Sequence, residues 1–178
     1  MFDGNSFISA CTRTDIRERV FCIGSFGKTY HNTGWKVGYV LACPDWMRRF
    51  RQIHQFVVFS VNSLAQYVLG QFLTVDNSYR NLPGFYEQKR DYFLKAMEQT
   101  RFIMLPCRST YFQLADYTQI SSEERDVDFC RNLIRKWGVA AIPLSPFMQI
   151  NPDKRLIRFC FAKTDDVLAS AAQRLSQC

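Results

Sequence analysis

The chain has 178 residues, a formal charge of +7, 47% apolar residues and many phenylalanines. That length can bury a continuous core, as one ordinary domain or as parts of two. No run approaches the roughly 20 apolar residues of a membrane-spanning helix, and the basic residues are scattered rather than massed on one face, which argues against membrane and nucleic-acid partners. Met1-Phe2-Asp3-Gly4-Asn5 shows neither the cationic start nor the apolar stretch of a signal peptide. The seven cysteines form an odd set without a C-x-x-C pair or a His-rich metal spacing, the pattern of reduced, mostly core thiols in a cytoplasmic protein that binds no metal.

In chain order, weak periodicity up to about residue 20 gives way to the apolar run 20–23, read as a short buried strand entering a glycine-rich turn. A second buried strand is expected over 37–42, with Pro44 in the first turn of the helix that follows. In that helix Trp46, Met47, Phe50, Ile53 and Val57 recur at helical spacing, and Arg48, Arg49 and Arg51 fall opposite. Another helix spans about 64–72, and polar Asp76-Asn77-Ser78 marks a break. The expected division is therefore 1–76 and 77–178.

Beyond the break, Leu82, Phe85, Tyr86, Phe93 and Met97 mark a long helix, and strand-like runs follow at 102–105 and 111–115. Ser121-Ser122-Glu123-Glu124 offers a capping box for a helix carrying Val127, Cys130, Leu133, Ile134 and Trp137, with Gly138 at its stop. Strands are expected at 139–142 and 156–162, then a closing helix capped by Thr164 or Asp165. The order reads as an α/β portion followed by an α+β portion.

Chemistry concentrates in Ser25-Phe26-Gly27-Lys28-Thr29-Tyr30-His31-Asn32-Thr33-Gly34-Trp35-Lys36-Val37-Gly38. Glycines let backbone approach a ligand, and a hydroxyl, backbone N–H groups and an ammonium are what a phosphate monoester requires. One of the two lysines is then free for covalent work, which needs its ammonium disfavoured by burial or by a neighbouring cation. Plainer alternatives exist at each position. Lys28 fits a solvated turn, Lys36 a strand edge and Ser25 a turn cap, and Arg158 fits a structural ion pair. His31 and His54, beside aromatic residues, read as packing and receive no catalytic role.

S-x-G-K followed by G-W-K-x-G resembles the lysine signature of the class I/II, fold-type I, pyridoxal-phosphate-dependent aminotransferases. The resemblance covers essentially the whole chain. It is nearest the kynurenine, glutamine and methionine aminotransferase branch, through Trp35-Lys36-Val37-Gly38, His54-Gln55-Phe56 and Ile157-Arg158-Phe159-Cys160-Phe161. It implies the end of a large cofactor-binding α/β domain followed by an α+β small domain. It also implies that Lys28 forms a Schiff base with pyridoxal 5'-phosphate and acts as general base. Ser25 and Lys36 would hold the cofactor phosphate, and Arg158 would pair with the substrate α-carboxylate. Phe59 would line a substrate pocket, its own or a partner subunit's, in a homodimer of the full-length enzyme. The implied substrates are methionine-, glutamine- or kynurenine-like amino acids and 2-oxo acids.

The family's glycine-rich phosphate loop, ring-stacking aromatic and pyridine-nitrogen aspartate have no match here. The chain is expected to begin just after the acidic strand end, and to be inactive alone because the ring lacks its electron-sink partner. A cysteine-conjugate β-lyase would share every residue named, and a non-catalytic dimer-interaction module is the non-enzymatic alternative.

Overall fold

The two apolar runs that flank the glycine-rich stretch pair with each other. In the computed structural model, which describes residues 1–149 and 154–178, β1 (Cys22–Ser25) and β2 (Gly38–Leu41) form an antiparallel ladder with Cys22 opposite Leu41 and Ser25 opposite Gly38. Their apolar runs suit buried strands, and the faces are left uncovered, as expected where the remaining members of the sheet lie elsewhere: Ile23 is 80% and Leu41 52% exposed. A continuous apolar run suits a strand covered on both faces. Here the only buried apolar cluster of the unit is Val37, Ala65 and Leu69, with Phe26, Tyr30 and Val61 packed against it among the described residues.

Between the strands lies a single helical turn, α1 (Phe26–Thr29). Pro44 opens α2 (Pro44–Val57), where its missing N–H costs nothing. Phe50 of α2 packs against Phe21 and His54, whereas Ile53, Phe56 and Val57 remain exposed. Helix α3 (Ser63–Val75) is capped by Asn62, whose side-chain oxygen accepts the Ala65 N–H at 2.9 Å. These elements make up one compact unit, Ser6–Leu82; the other consists of Met1–Asn5 with Pro83–Cys178.

Beyond Met1–Asn5, the second unit continues from Pro83 in the long helix α4 (Leu82–Met97). Its sheet has the order β3 (Ile103–Met104), β4 (Phe112–Asp116), β6 (Leu156–Cys160), β5 (Ile142–Pro143), antiparallel throughout. Period-two alternation turns Gln113, Ala115, Ile157 and Phe159 into the core. There they meet Phe93 and Met97 of α4, residues of α5 (Asp126–Asn132), and Leu168, Ala172 and Leu175 of α6 (Asp165–Leu175). Phe159 lies 5.8 Å from Phe93 and 5.5 Å from Phe102 between ring centroids, and Tyr117 stacks on Phe129 at 3.9 Å. A one-sided antiparallel sheet under helices is the expected α+β layer.

The capping box does not start the 121–137 helix. Ser121 accepts the Glu124 N–H at 3.2 Å inside a bend, and α5 begins only at Asp126. The carbonyls that an earlier start would use are taken: Arg155 donates to Ser122 O and Glu124 O, and the Tyr117 hydroxyl donates to Glu124 O at 2.9 Å. Asp126 and Asp128 instead place negative charge at the helix start. The helix widens into a π-turn over Leu133–Trp137 and stops at Gly138, whose φ of 64° suits glycine. The expected strand 139–142 shrinks to Ile142–Pro143. Thr164 takes the expected N-cap position of α6, without a side-chain hydrogen bond to the helix among the described residues.

Arg90 of α4 ties the chain's first residues to this unit. Its guanidinium donates two bonds of 2.7 Å to Asp3 and one of 2.8 Å to Cys107 O, and it lies over the buried Phe2 ring at 4.9 Å. Arg90→Ala is expected to lower stability by about 2 kcal/mol, because a bidentate pair, a hydrogen bond and ring packing are lost together. The Arg90 guanidinium holds the Asp3 carboxyl below the usual carboxylate range. The pair therefore stabilises at neutral pH, and its contribution disappears as pH falls through that depressed value. Urea unfolding of the wild type and Asp3→Asn should differ at pH 7 and converge in strong acid.

Candidate active site

Ser25 closes β1 and caps α1, its Oγ accepting the Gly27 N–H at 3.2 Å. That leaves the serine O–H free to donate. Lys28 rides on the same turn and makes no hydrogen bond or ion pair among the described residues. The loop after it folds back: Asn32 N–H donates to Gly27 O at 3.0 Å, Trp35 N–H to Asn32 O at 2.9 Å, and Phe26 N–H to Val37 O at 3.2 Å. Ser25, the Lys28 turn and Lys36 are thereby gathered at one end of the β1–β2 ladder.

Two backbone features hold this arrangement. A Cβ on Gly38 would stand 2.5 Å from Gly24 O, and one on Gly24 would stand 2.2 Å from Tyr39 Cζ. The strands approach where only hydrogen fits. Lys36 itself adopts the left-handed conformation, φ 56°, at the end of the 3-10 turn Thr33–Trp35. Such a conformation costs a non-glycine residue about 1 kcal/mol or more and persists where surrounding contacts impose it. Beside it, the Asn32 Oδ1 is buried without a partner among the described residues.

Phe59 lies just beyond α2 with φ 62° and is 90% exposed, so it belongs to no core. His54 stacks on Phe50 at 5.1 Å, in keeping with a packing role. His31 is exposed in another left-handed turn.

Arg158 belongs to the other unit. It lies in the middle of β6, opposite Leu114 and Ile142, on the face of the sheet turned away from the core. Its guanidinium carbon is 4.0 Å from the Phe112 ring centroid and 5.6 Å from that of Phe147. The Nε is buried without a partner, and no ion pair to Arg158 exists among the described residues. Aromatic faces stabilise the cation without consuming its N–H donors. Phe147 is fixed from beneath: buried Asp126 accepts from Ser145 N at 2.6 Å and from Ser145 Oγ at 2.7 Å, pinning the turn Ser145–Phe147. Sequence reasoning missed Phe112, Phe147 and Asp126. The register that sets Phe112 diagonal to Arg158 follows only once β4 and β6 are paired.

A family model described as "Aminotransferase class I and II" matches residues 1–175. The chain belongs to this aminotransferase family. It is 45% identical over 177 residues to the methionine aminotransferase of Escherichia coli (strain K12), an alignment that covers 99% of this chain and 46% of that protein. It is 27% identical over 196 residues to kynurenine–oxoglutarate transaminase 1 of Homo sapiens, covering 98% of this chain and 46% of the relative. The crystal structure of the Escherichia coli methionine aminotransferase superposes with a TM-score of 0.91 at 45% identity, over 96% of this chain and 45% of that one. N-succinyldiaminopimelate aminotransferase from Mycobacterium tuberculosis superposes with a TM-score of 0.90 at 28% identity, over 99% and 46%. The chain thus spans about half the length of the aminotransferases it matches.

Gly38→Ala, which collides with backbone, is expected to destabilise the chain by about 2–3 kcal/mol. Gly24→Ala meets only the far end of the Tyr39 side chain and should cost clearly less. Urea titration of both variants, with circular dichroism as the probe, gives the order; a larger loss for Gly24→Ala would contradict the close approach of the two backbones.

Proposed function

We propose that the whole protein is a pyridoxal-phosphate-dependent enzyme that moves an amino group between an amino acid and a 2-oxo acid. The observation that carries this reading is the gathering of Ser25, Lys28 and Lys36 at one strand end, in a chain of the class I and II aminotransferase family. The donor set fits the cofactor: a primary amine for its aldehyde, and a free serine O–H with a lysine ammonium for its phosphate. When bound, pyridoxal phosphate supplies the electron sink that makes the substrate Cα–H acidic.

The chain's own residues supply the rest. Lys28 would hold the cofactor covalently, and its Nζ, when free, would take the substrate Cα proton. Ser25 would donate a hydrogen bond from its hydroxyl to a phosphate oxygen, and Lys36 would offset the phosphate charge. Arg158, which pairs with no carboxylate among the described residues, would orient the substrate α-carboxylate through parallel N–H bonds. Phe112 covers one face of the guanidinium, which leaves the N–H edge to the carboxylate and strengthens the pair. Phe59 lines the pocket that accepts a bulky apolar side chain, in a homodimer.

Identity to a methionine aminotransferase favours methionine-like substrates, with glutamine and kynurenine as further candidates. The proposed division is 1–76 for the cofactor-bearing portion and 77–178 for the small domain. We place the enzyme in the cytoplasm, without nucleic-acid or membrane partners; no helix among the described residues is long and apolar enough to cross a membrane.

The test uses the full-length protein with pyridoxal phosphate, methionine and a 2-oxo acid. Lys28→Ala should abolish turnover and the absorbance of lysine-bound cofactor. Arg158→Ala should reduce kcat/KM for the amino acid on the order of a hundredfold while that absorbance persists. Equal loss of cofactor binding and substrate binding in Arg158→Ala would make the arginine structural, and undiminished turnover in Lys28→Ala would remove the proposed mechanism.

A further inference from the structure

No polar partner fixes the aim of Arg158. Its Nε is buried without one, and no hydrogen bond or ion pair to the guanidinium exists among the described residues. What borders it are rings, Phe112 at 4.0 Å and Phe147 at 5.6 Å from the guanidinium carbon, both within cation–π reach. Phe112 is fixed by the β4–β6 ladder, which sets it diagonal to Arg158. Phe147 has no such support. Its ring is 68% exposed, so no core holds it, and β5 already ends at Pro143. Its place depends on the turn Ser145–Phe147, which the Met148 N–H closes onto Ser145 O at 3.1 Å. Asp126, the first residue of α5, holds that turn. Its carboxylate is 1% exposed and accepts the Ser145 N–H at 2.6 Å and the Ser145 hydroxyl at 2.7 Å, so each oxygen grips the same residue. Such charge-assisted bonds are short and about twice as strong as neutral ones.

We propose that Asp126 is a positioning residue for amino-acid recognition, a role that rests on Arg158 being the partner of the substrate α-carboxylate. Through Ser145 it keeps the Phe147 ring beside the guanidinium, and the ring keeps the arginine's N–H edge toward the carboxylate. The physical cause is rotational. An arginine without hydrogen bonds moves among staggered conformers, and a fixed ring removes those that swing toward it. Parallel N–H bonds to a carboxylate need that restriction, because their geometry tolerates little displacement. Asp126 itself touches no substrate. Its effect reaches the amino acid only through the chain Asp126, Ser145, Phe147 and Arg158, all within the unit that contains Pro83–Cys178.

The full-length enzyme with pyridoxal phosphate is titrated calorimetrically with the des-amino analogue of methionine, a carboxylate that binds without turnover, and KM and kcat are measured with methionine itself. Asp126→Ala should raise the Kd of the analogue and the KM for methionine about tenfold. At the same time kcat should stay within about twofold and the absorbance of lysine-bound cofactor should persist. Asp126→Asn, whose amide oxygen still accepts the Ser145 N–H, should recover most of the loss, and Phe147→Leu should reproduce it. In an Arg158→Ala background Asp126→Ala should add nothing, since the two act on one contact. If Asp126→Ala does not fold, Ser145→Ala, which removes one of the two bonds, should shift Kd and KM in the same direction by less. The positioning role is overturned if Arg158→Ala raises Kd and KM but the Asp126 and Ser145 variants leave them unchanged, or if those variants lose kcat and cofactor absorbance in equal measure. Unchanged Kd and KM in Arg158→Ala would instead remove the carboxylate reading of Arg158, and the role of Asp126 with it.

Discussion

Where Gly38 passes Gly24, the two backbones come so close that a single added carbon would lie 2.5 Å from a carbonyl oxygen. This approach sets the register of β1 against β2, and register in turn decides which residues end up side by side. Ser25 faces Gly38, the helical turn with Lys28 leaves the ladder at that same point, and the loop returns through Lys36. A wider spacing would part the end of β1 at Ser25 from the loop that returns through Lys36. The left-handed conformation of Lys36 is the strain this closure imposes, and the folded-back hydrogen bonds of Gly27, Asn32 and Val37 hold it.

Arg158 is prepared by different means. Its strand alternates strictly, so one face of β6 supplies Ile157 and Phe159 to the core while the other turns Arg158 outward. Two phenylalanines then hold the guanidinium without neutralising it. Burying part of a cation without an anion is costly, and persists when aromatic faces offset some of the lost hydration. Asp126 shows the complementary solution, a buried carboxylate whose oxygens accept from one serine's N–H and hydroxyl.

Most elements were legible because their signals are local. Period-3.6 spacing found the helices that begin at Pro44 and Leu82, and Gly138 marked a true stop. The lysine signature was legible because its glycines and lysines lie within fourteen consecutive residues, 25–38. Ser121 misled for the opposite reason: its helix start was overridden by Arg155 and Tyr117, distant donors that claim the carbonyls of Ser122 and Glu124. The aromatic frame of Arg158 was hidden likewise, since Phe112 and Phe147 reach it from separate strands and turns. The exposure of β1 and β2 has a simple reason: apolar sequence specifies what a strand can cover, not what is there to cover it, and strands whose sheet partners lie elsewhere keep uncovered faces.

The anchoring of Phe2 has a consequence for the order in which this chain can acquire its structure. Phe2 is buried in the same cluster as Phe159 and Leu175, yet all of Ser6–Leu82 intervenes before that cluster's other members begin. A chain emerging from the ribosome must therefore keep Phe2 waiting, solvent-exposed or transiently held, while the whole Ser6–Leu82 excursion and then α4 are synthesised. Contacts of such sequence separation are slow to close. Completion of this core is thus a late event, and the Arg90–Asp3 clasp is a seal that can be set only after the excursion has been made.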